Sequence, residues 1–135
     1  MPGIFGCITR LPRAQAEETL LRMMDTVRHE SFYVESTLAD EALGVYIGWT
    51  AREGSFGEGM PLRNEKGDVA LIVSGEEFPE SGTNQRLRAQ GHVLDKTAAS
   101  YLVHLYEDDP SFPAGLNGRF HGSRIDRNRR RALLF

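Results

Sequence analysis

The order in which strand-like and helix-like patterns follow one another leaves this chain few folds. GIFGCIT (residues 3–9) is short, apolar and glycine-punctuated, which predicts a buried strand, and Pro12 ends it. Over residues 13–28 the period lengthens. Ala16, Leu20, Met23, Met24 and Val27 recur at three- and four-residue steps with charges between, as in a helix with one apolar face. SFYVEST (31–37) and LGVYIGWT (43–50) have the aromatic and β-branched content of strands. Gly54, Gly57, Gly59 and Pro61 make 52–62 a loop. DVALIVSG (68–75), the most apolar strand pattern, stops at a glycine. Short helices are predicted over 83–90, closing on Gly91, and over 97–106, where Leu102, Leu105 and Tyr106 share a face. RFHGSRID and RRALLF read as strands around a turn at Arg127 and Asn128.

Strands therefore come in runs with helices between them, not in the strict alternation of a doubly wound sheet. The fold class expected is α+β, in layers. At 135 residues the chain makes one domain with a real core. Alternation and helical spacing predict Ile4, Phe5, Leu43, Val45, Leu71, Val73, Leu102, Leu105 and Phe120 in that core. RALLF ends in mid-strand by pattern, so a fragment of a longer protein is expected.

A formal net charge of −3 speaks against nucleic acid as a partner. The exception is local. Arg124, Arg127, Arg129, Arg130 and Arg131 crowd together in a segment that reads as a solvated hairpin turn, with a phosphate or acidic-partner patch as the sharper alternative. A single cysteine forms no internal disulfide, which suits a cytoplasmic protein. No apolar run approaches the roughly 18 residues of a membrane span, and no secretory signal is visible. His29, His92, His104 and His121 are scattered without a CxxC or HxxxH companion, so no metal site is expected.

No Walker loop, GxGxxG or GxSxG is present. Several weaker segments occur in a telling order: GIFG near the start, VSGEEF, then NQRLRAQGH, SYLVHLYED and LNGRFHGSRIDRNRRRALLF. Together they resemble the N-terminal glutaminase domain of the asparagine synthetase family, a class II glutamine amidotransferase of the Ntn-hydrolase fold, and the resemblance covers essentially the whole chain. That family starts Met-Cys-Gly-Ile and carries Asn-Gly-Glu at a strand end. A leucine-rich helix closing on Gly-His follows, and then Leu-Asn-Gly-x-Phe before a hairpin with an Asp-Arg turn.

The resemblance also marks what has been replaced. In the family the processed N-terminal cysteine attacks the glutamine amide while its own amine handles the proton; removal of the initiator Met here would expose Pro2, which has no thiol. The arginine that grips the substrate carboxylate corresponds to Trp49, with Arg52 three residues on as a possible substitute. The asparagine that stabilises the oxyanion corresponds to Ser74, followed by Gly75 and Glu76. The acidic anchor for the substrate amine falls on Ala98, with Asp95 just upstream. The family's Arg-Gly-Pro-Asp segment is broken too, since Arg28 and His29 lead into Glu30, Ser31 and Phe32. Cys7 sits well along the first strand without an adjacent amine, and reads as a core cysteine. Pro2 could act as a general base only in an electropositive, water-poor pocket, which nothing in the sequence specifies.

The resemblance implies a four-layer Ntn-hydrolase-like sandwich, two antiparallel sheets flanked by helices, with GIFGCIT an interior strand beside the strand ending at Ser74. Pro2, Trp49, Ser74, Gly75 and Ala98 would surround one remnant pocket, largely filled by the Trp49 indole. It implies a type 2 glutamine amidotransferase-like domain over residues 1–135 without glutaminase activity. Its partner would be a C-terminal synthetase domain of the same chain, where ATP and Mg²⁺ would act; this domain itself would hold no cofactor. Two other readings stay open: a working amidotransferase rebuilt around Arg52 and Asp95, and a non-catalytic interaction or dimerisation module, as a homodimer for example.

Overall fold

A computed structural model describes residues 2–135. Its elements run β1 (Gly3–Ile8), α1 (Arg13–Val27), β2 (Tyr33–Asp40), β3 (Val45–Arg52), β4 (Leu62–Arg63), β5 (Val69–Glu77), α2 (Thr83–Ala89), α3 (Tyr101–Asp108), β6 (Gly118–Asp126) and β7 (Arg131–Leu134). Among the described residues the strands form two antiparallel sheets, ordered β1-β3-β2 and β4-β5-β6-β7. With three helices, the fold is α+β as the order of patterns predicts. No helix among the described residues is long and apolar enough to cross a membrane.

The two-residue period of a strand decides what each face meets. On β3, Val45, Ile47, Trp49 and Ala51 belong to the main core, while Tyr46 turns the other way and packs with Ala16 and Leu20 of α1. On β5 the register opposes Leu71 to Arg124 and Val69 to Asp126. Those β6 residues face α3, because the Arg124 guanidinium lies 4.1 Å from the Tyr106 ring centroid and the Tyr106 hydroxyl donates to Asp126. A second buried hydroxyl, that of Tyr101, donates to Glu77 at the end of β5. Ala70, Ile72 and Ser74 therefore point the opposite way, toward the first sheet.

A polar tie joins the ends of the two sheets. Asp40, buried at the end of β2, accepts from Arg127 Nε at 2.7 Å, and Arg127 sits in the turn between β6 and β7. The arginine-rich hairpin is thus not merely solvated. Arg127 closes an ion pair, Arg124 covers Tyr106, and the Arg129 amide donates to Asp126 at 2.8 Å.

Several expectations need correction. GIFGCIT is a strand, but it is the edge of the first sheet and none of its residues is fully buried. The strand ending at Ser74 lies in the other sheet, so the two are not hydrogen-bonded neighbours. Glycine content made β1 look interior; its actual cover is α1 on one face, where Phe5 and Cys7 pack. Of the predicted core, Val45, Leu71, Val73 and Leu102 are buried, whereas Ile4, Phe5, Leu43, Leu105 and Phe120 lie partly exposed at its rim. The strand over Asp68 onward does not stop at Gly75 but runs through it to Glu77, and the last helix starts at Tyr101.

Candidate functional site

Pairing brings distant segments to one end of the two sheets. β1 runs antiparallel to β3, with Gly3 opposite Thr50 and Ile4 opposite Trp49, which carries Pro2 to the end of β3. In the second sheet Ser74 stands opposite His121 and Gly75 opposite Phe120. These residues line a pocket of about 610 Å³, within the range of small-molecule sites. Pro2, Trp49, Arg52, Ser74 and Gly75 are all on its wall, joined by Glu76, Arg119 and His121.

Gly75 shapes this wall. Its φ of +117° lies where side chains are strongly disfavoured, and a Cβ there would come within 2.2 Å of the Arg119 carbonyl oxygen. Only glycine lets β5 approach β6 so closely beside Ser74. The lining carries two guanidinium groups and an imidazole against one carboxylate, Glu76. That balance suits a carboxylate-bearing ligand, which arginine binds through paired donors. Arg52 leans on the Phe32 ring, 5.7 Å from its centroid.

Two expected members are elsewhere. Asp95 and Ala98 are exposed and do not line the pocket. The Asp95 carboxylate accepts the Thr97 amide at 2.7 Å, and the Thr97 side chain occupies the space against Gly59. The turn that the resemblance placed near the substrate amine is used locally instead. Trp49 is present but does not plug the pocket: its indole is 3% exposed, packed in the core as a wall with open space beside it.

No thiol reaches the pocket. Cys7 lies on β1, half-buried against the helix-side cluster of Ala16, Leu20 and Tyr46 and not in the interior as a core cysteine would be. The hydroxyls present are those of Thr50, Ser55 and Ser74. Opposite residues of an antiparallel pair hold their Cβ atoms about 5 Å apart, yet no side-chain hydrogen bond joins the Ser74 hydroxyl to the His121 ring among the described residues. Sequence reading missed Arg119 and His121. Strand alternation was the available signal, since β6 residues facing Ser74 and Glu76 follow from the pairing of the two most regular strands.

A second polar grouping lies away from this pocket. The description of the histidines as scattered fails for His92 and His104, whose ring centroids are 4.6 Å apart, with Glu65 and Glu107 beside them. The overlooked signal was His104-x-x-Glu107, one turn of α3, a spacing outside the HxxxH pattern. No protein-family model matches the sequence, and no curated protein matches it.

Proposed function

We propose that this chain is a glutamine amidotransferase-like domain of the asparagine-synthetase type that has kept a small-molecule pocket and lost glutamine hydrolysis. One observation carries the reading: Pro2, Trp49 and the Ser74–Gly75 pair, from three separate stretches of sequence and singled out by resemblance alone, line one pocket. The packing of α1 on the first sheet and α3 on the second, with a shared core between, is compatible with a four-layer Ntn-hydrolase-like sandwich. Loss of hydrolysis follows from chemistry. The reaction needs a nucleophile deprotonated by the amine of its own residue, and Pro2 supplies an amine alone. Ser74 is shorter than the asparagine that would reach an oxyanion, and no carboxylate from residues 95–98 faces the pocket. The partner in this reading is an ATP-dependent synthetase domain that takes nitrogen from free ammonia or an internal amine.

Ammonia release from glutamine tests it. The purified chain should give none above background, and a thiol-directed glutamine analogue should leave Cys7 unmodified. Pro2→Cys alone should also fail, because groups that act as a unit are strongly non-additive. Turnover of about 1 per second or more by either protein, an ordinary enzymatic rate, would overturn the proposal in favour of a rebuilt amidotransferase using Arg52.

A further inference from the structure

We propose that Glu65, His92, His104 and Glu107 form a binding site for a divalent transition metal of the zinc class, separate from the pocket at Ser74. One donor atom from each residue lies within 4.8 Å of every other. The pairings are closer than that outer limit. His104 Nδ1 is 3.0 Å from Glu107 Oε2 and 3.7 Å from Glu65 Oε2. His92 Nδ1 is 3.7 Å from both Glu65 Oε1 and Glu107 Oε2. Ligands about 2.0–2.1 Å from a tetrahedral ion stand about 3.4 Å from one another. The observed separations bracket that value, so shifts of a few tenths of an ångström bring the donors to it.

The surroundings hold these donors in place. His92 Nε2 faces Asp108 Oδ1 at 3.2 Å, and Asp108 in turn lies 3.6 Å from an Arg86 nitrogen. A carboxylate only accepts, so this contact puts the proton of a neutral ring on Nε2 and turns the Nδ1 lone pair toward Glu65 and Glu107. A neutral ring in this orientation aims its lone pair at two carboxylates, a repulsion that either a bound cation or a proton on the ring relieves. Carboxylate-to-histidine contacts of this kind orient metal-ligating rings. Glu107 is held through its other oxygen by Asn64 Nδ2 at 2.7 Å, and Asn64 is itself buried and fixed by the Val69 amide at 3.0 Å. Glu65 accepts the Val93 amide at 2.8 Å. His104 is only 2% exposed, so one ligand is presented from the interior of α3.

Two imidazoles and two carboxylates select zinc-like ions over Ca²⁺ and Mg²⁺, which prefer oxygen donors throughout. Four protein ligands leave no open position, the signature of a structural site. The ion would clamp the β4–β5 turn, the segment after α2, and α3.

Calorimetric titration of the chelator-treated full chain with Zn²⁺ tests the site, with Co²⁺ absorption reporting coordination geometry. We expect one saturable equivalent, a tetrahedral Co²⁺ spectrum, a rise in Tm, and no competition from excess Mg²⁺ or Ca²⁺. His92→Ala and Glu65→Gln, both at partly exposed positions, should each weaken binding at least about 10-fold. Asp108→Asn, which removes the charged support of His92 along with the exposed contact to Arg86, should weaken it about 10- to 100-fold while circular dichroism stays native. Absence of saturable binding to the unaltered chain overturns the proposal without recourse to any variant, leaving the group as imidazolium–carboxylate pairs. Unchanged affinity in His92→Ala, or displacement by Ca²⁺, overturns it equally.

Discussion

Phe120 and Trp49 show how far position, more than residue type, sets the energetic role of an aromatic. Phe120 sits at the rim, its ring 6.2 Å from that of Phe135, and remains partly exposed. Its replacement by alanine should cost about 1–2 kcal/mol, because only part of the ring is withdrawn from water. Trp49 is 3% exposed, and Trp49→Ala should cost about 3–5 kcal/mol. Denaturant midpoints of the two variants decide the ranking, and a larger loss for Phe120→Ala would contradict it. Gly75→Ala belongs at this scale too. It forces a side chain into a left-handed backbone and against the Arg119 carbonyl, so a loss above about 1 kcal/mol is expected. The same variant should perturb any ligand affinity of the pocket, because β5 and β6 must move apart beside Ser74.

At the scale of elements, the Asp40–Arg127 contact ties the end of β2 to the β6–β7 turn. Arg127→Ala would strand a carboxylate that is 6% exposed, yet its side chain is 47% exposed, so the pair is half screened. A loss of about 1–2 kcal/mol is expected, below the 3–5 kcal/mol of fully buried pairs, and Asp40→Asn in the same background should recover part of it. Thermal melts of the single and double variants measure the coupling. This tie was illegible in the sequence, since nothing in RIDRNRRRA says which arginine meets Asp40. Local pattern was enough for the elements themselves. The helical period of Ala16, Leu20 and Met24 predicted α1 to within a residue, and β6, β7 and their turn fell where alternation put them. Sheet membership was harder, because β1 and β5 carry similar apolar runs and only long-range pairing assigns them to different sheets. The candidate pocket was legible in part for a related reason: positions on paired strands converged, whereas Asp95 and Ala98, on an irregular turn, did not. The cluster around His92 and His104 escaped notice because its donors come from three separate segments.

For the molecule as a whole, buried phenols are expected to make stability fall at alkaline pH. Tyr101 is pushed above the ordinary tyrosine range by burial first, then by its bond to Glu77 and that group's charge. Burial also raises Tyr106, helped by Asp126 and opposed by Arg124, and raises Tyr46 on the α1 side of the first sheet. The folded state holds these protons more tightly than the unfolded chain does. The stability they contribute is complete below the unfolded value near 10 and declines as pH rises beyond it. Urea midpoints should therefore fall between about pH 9 and pH 11, and Tyr101→Phe should flatten the fall; an unchanged slope would show that the phenol is not responsible. On the acid side Asp68 is lowered by the Asn64 and Asn128 side chains, and Asp109 by the amide and hydroxyl of Ser111. Their contribution is present above about pH 4 and is lost as pH falls through the folded values. Trp49 is the one tryptophan of the sequence, enclosed by the core on one side and bordering the pocket on the other. Its fluorescence is thus a built-in reporter with two uses. Unfolding should shift the emission to the red as the indole meets water, while a ligand seated beside Arg52 should change intensity without that shift, so a single cuvette separates occupancy from denaturation with no added label.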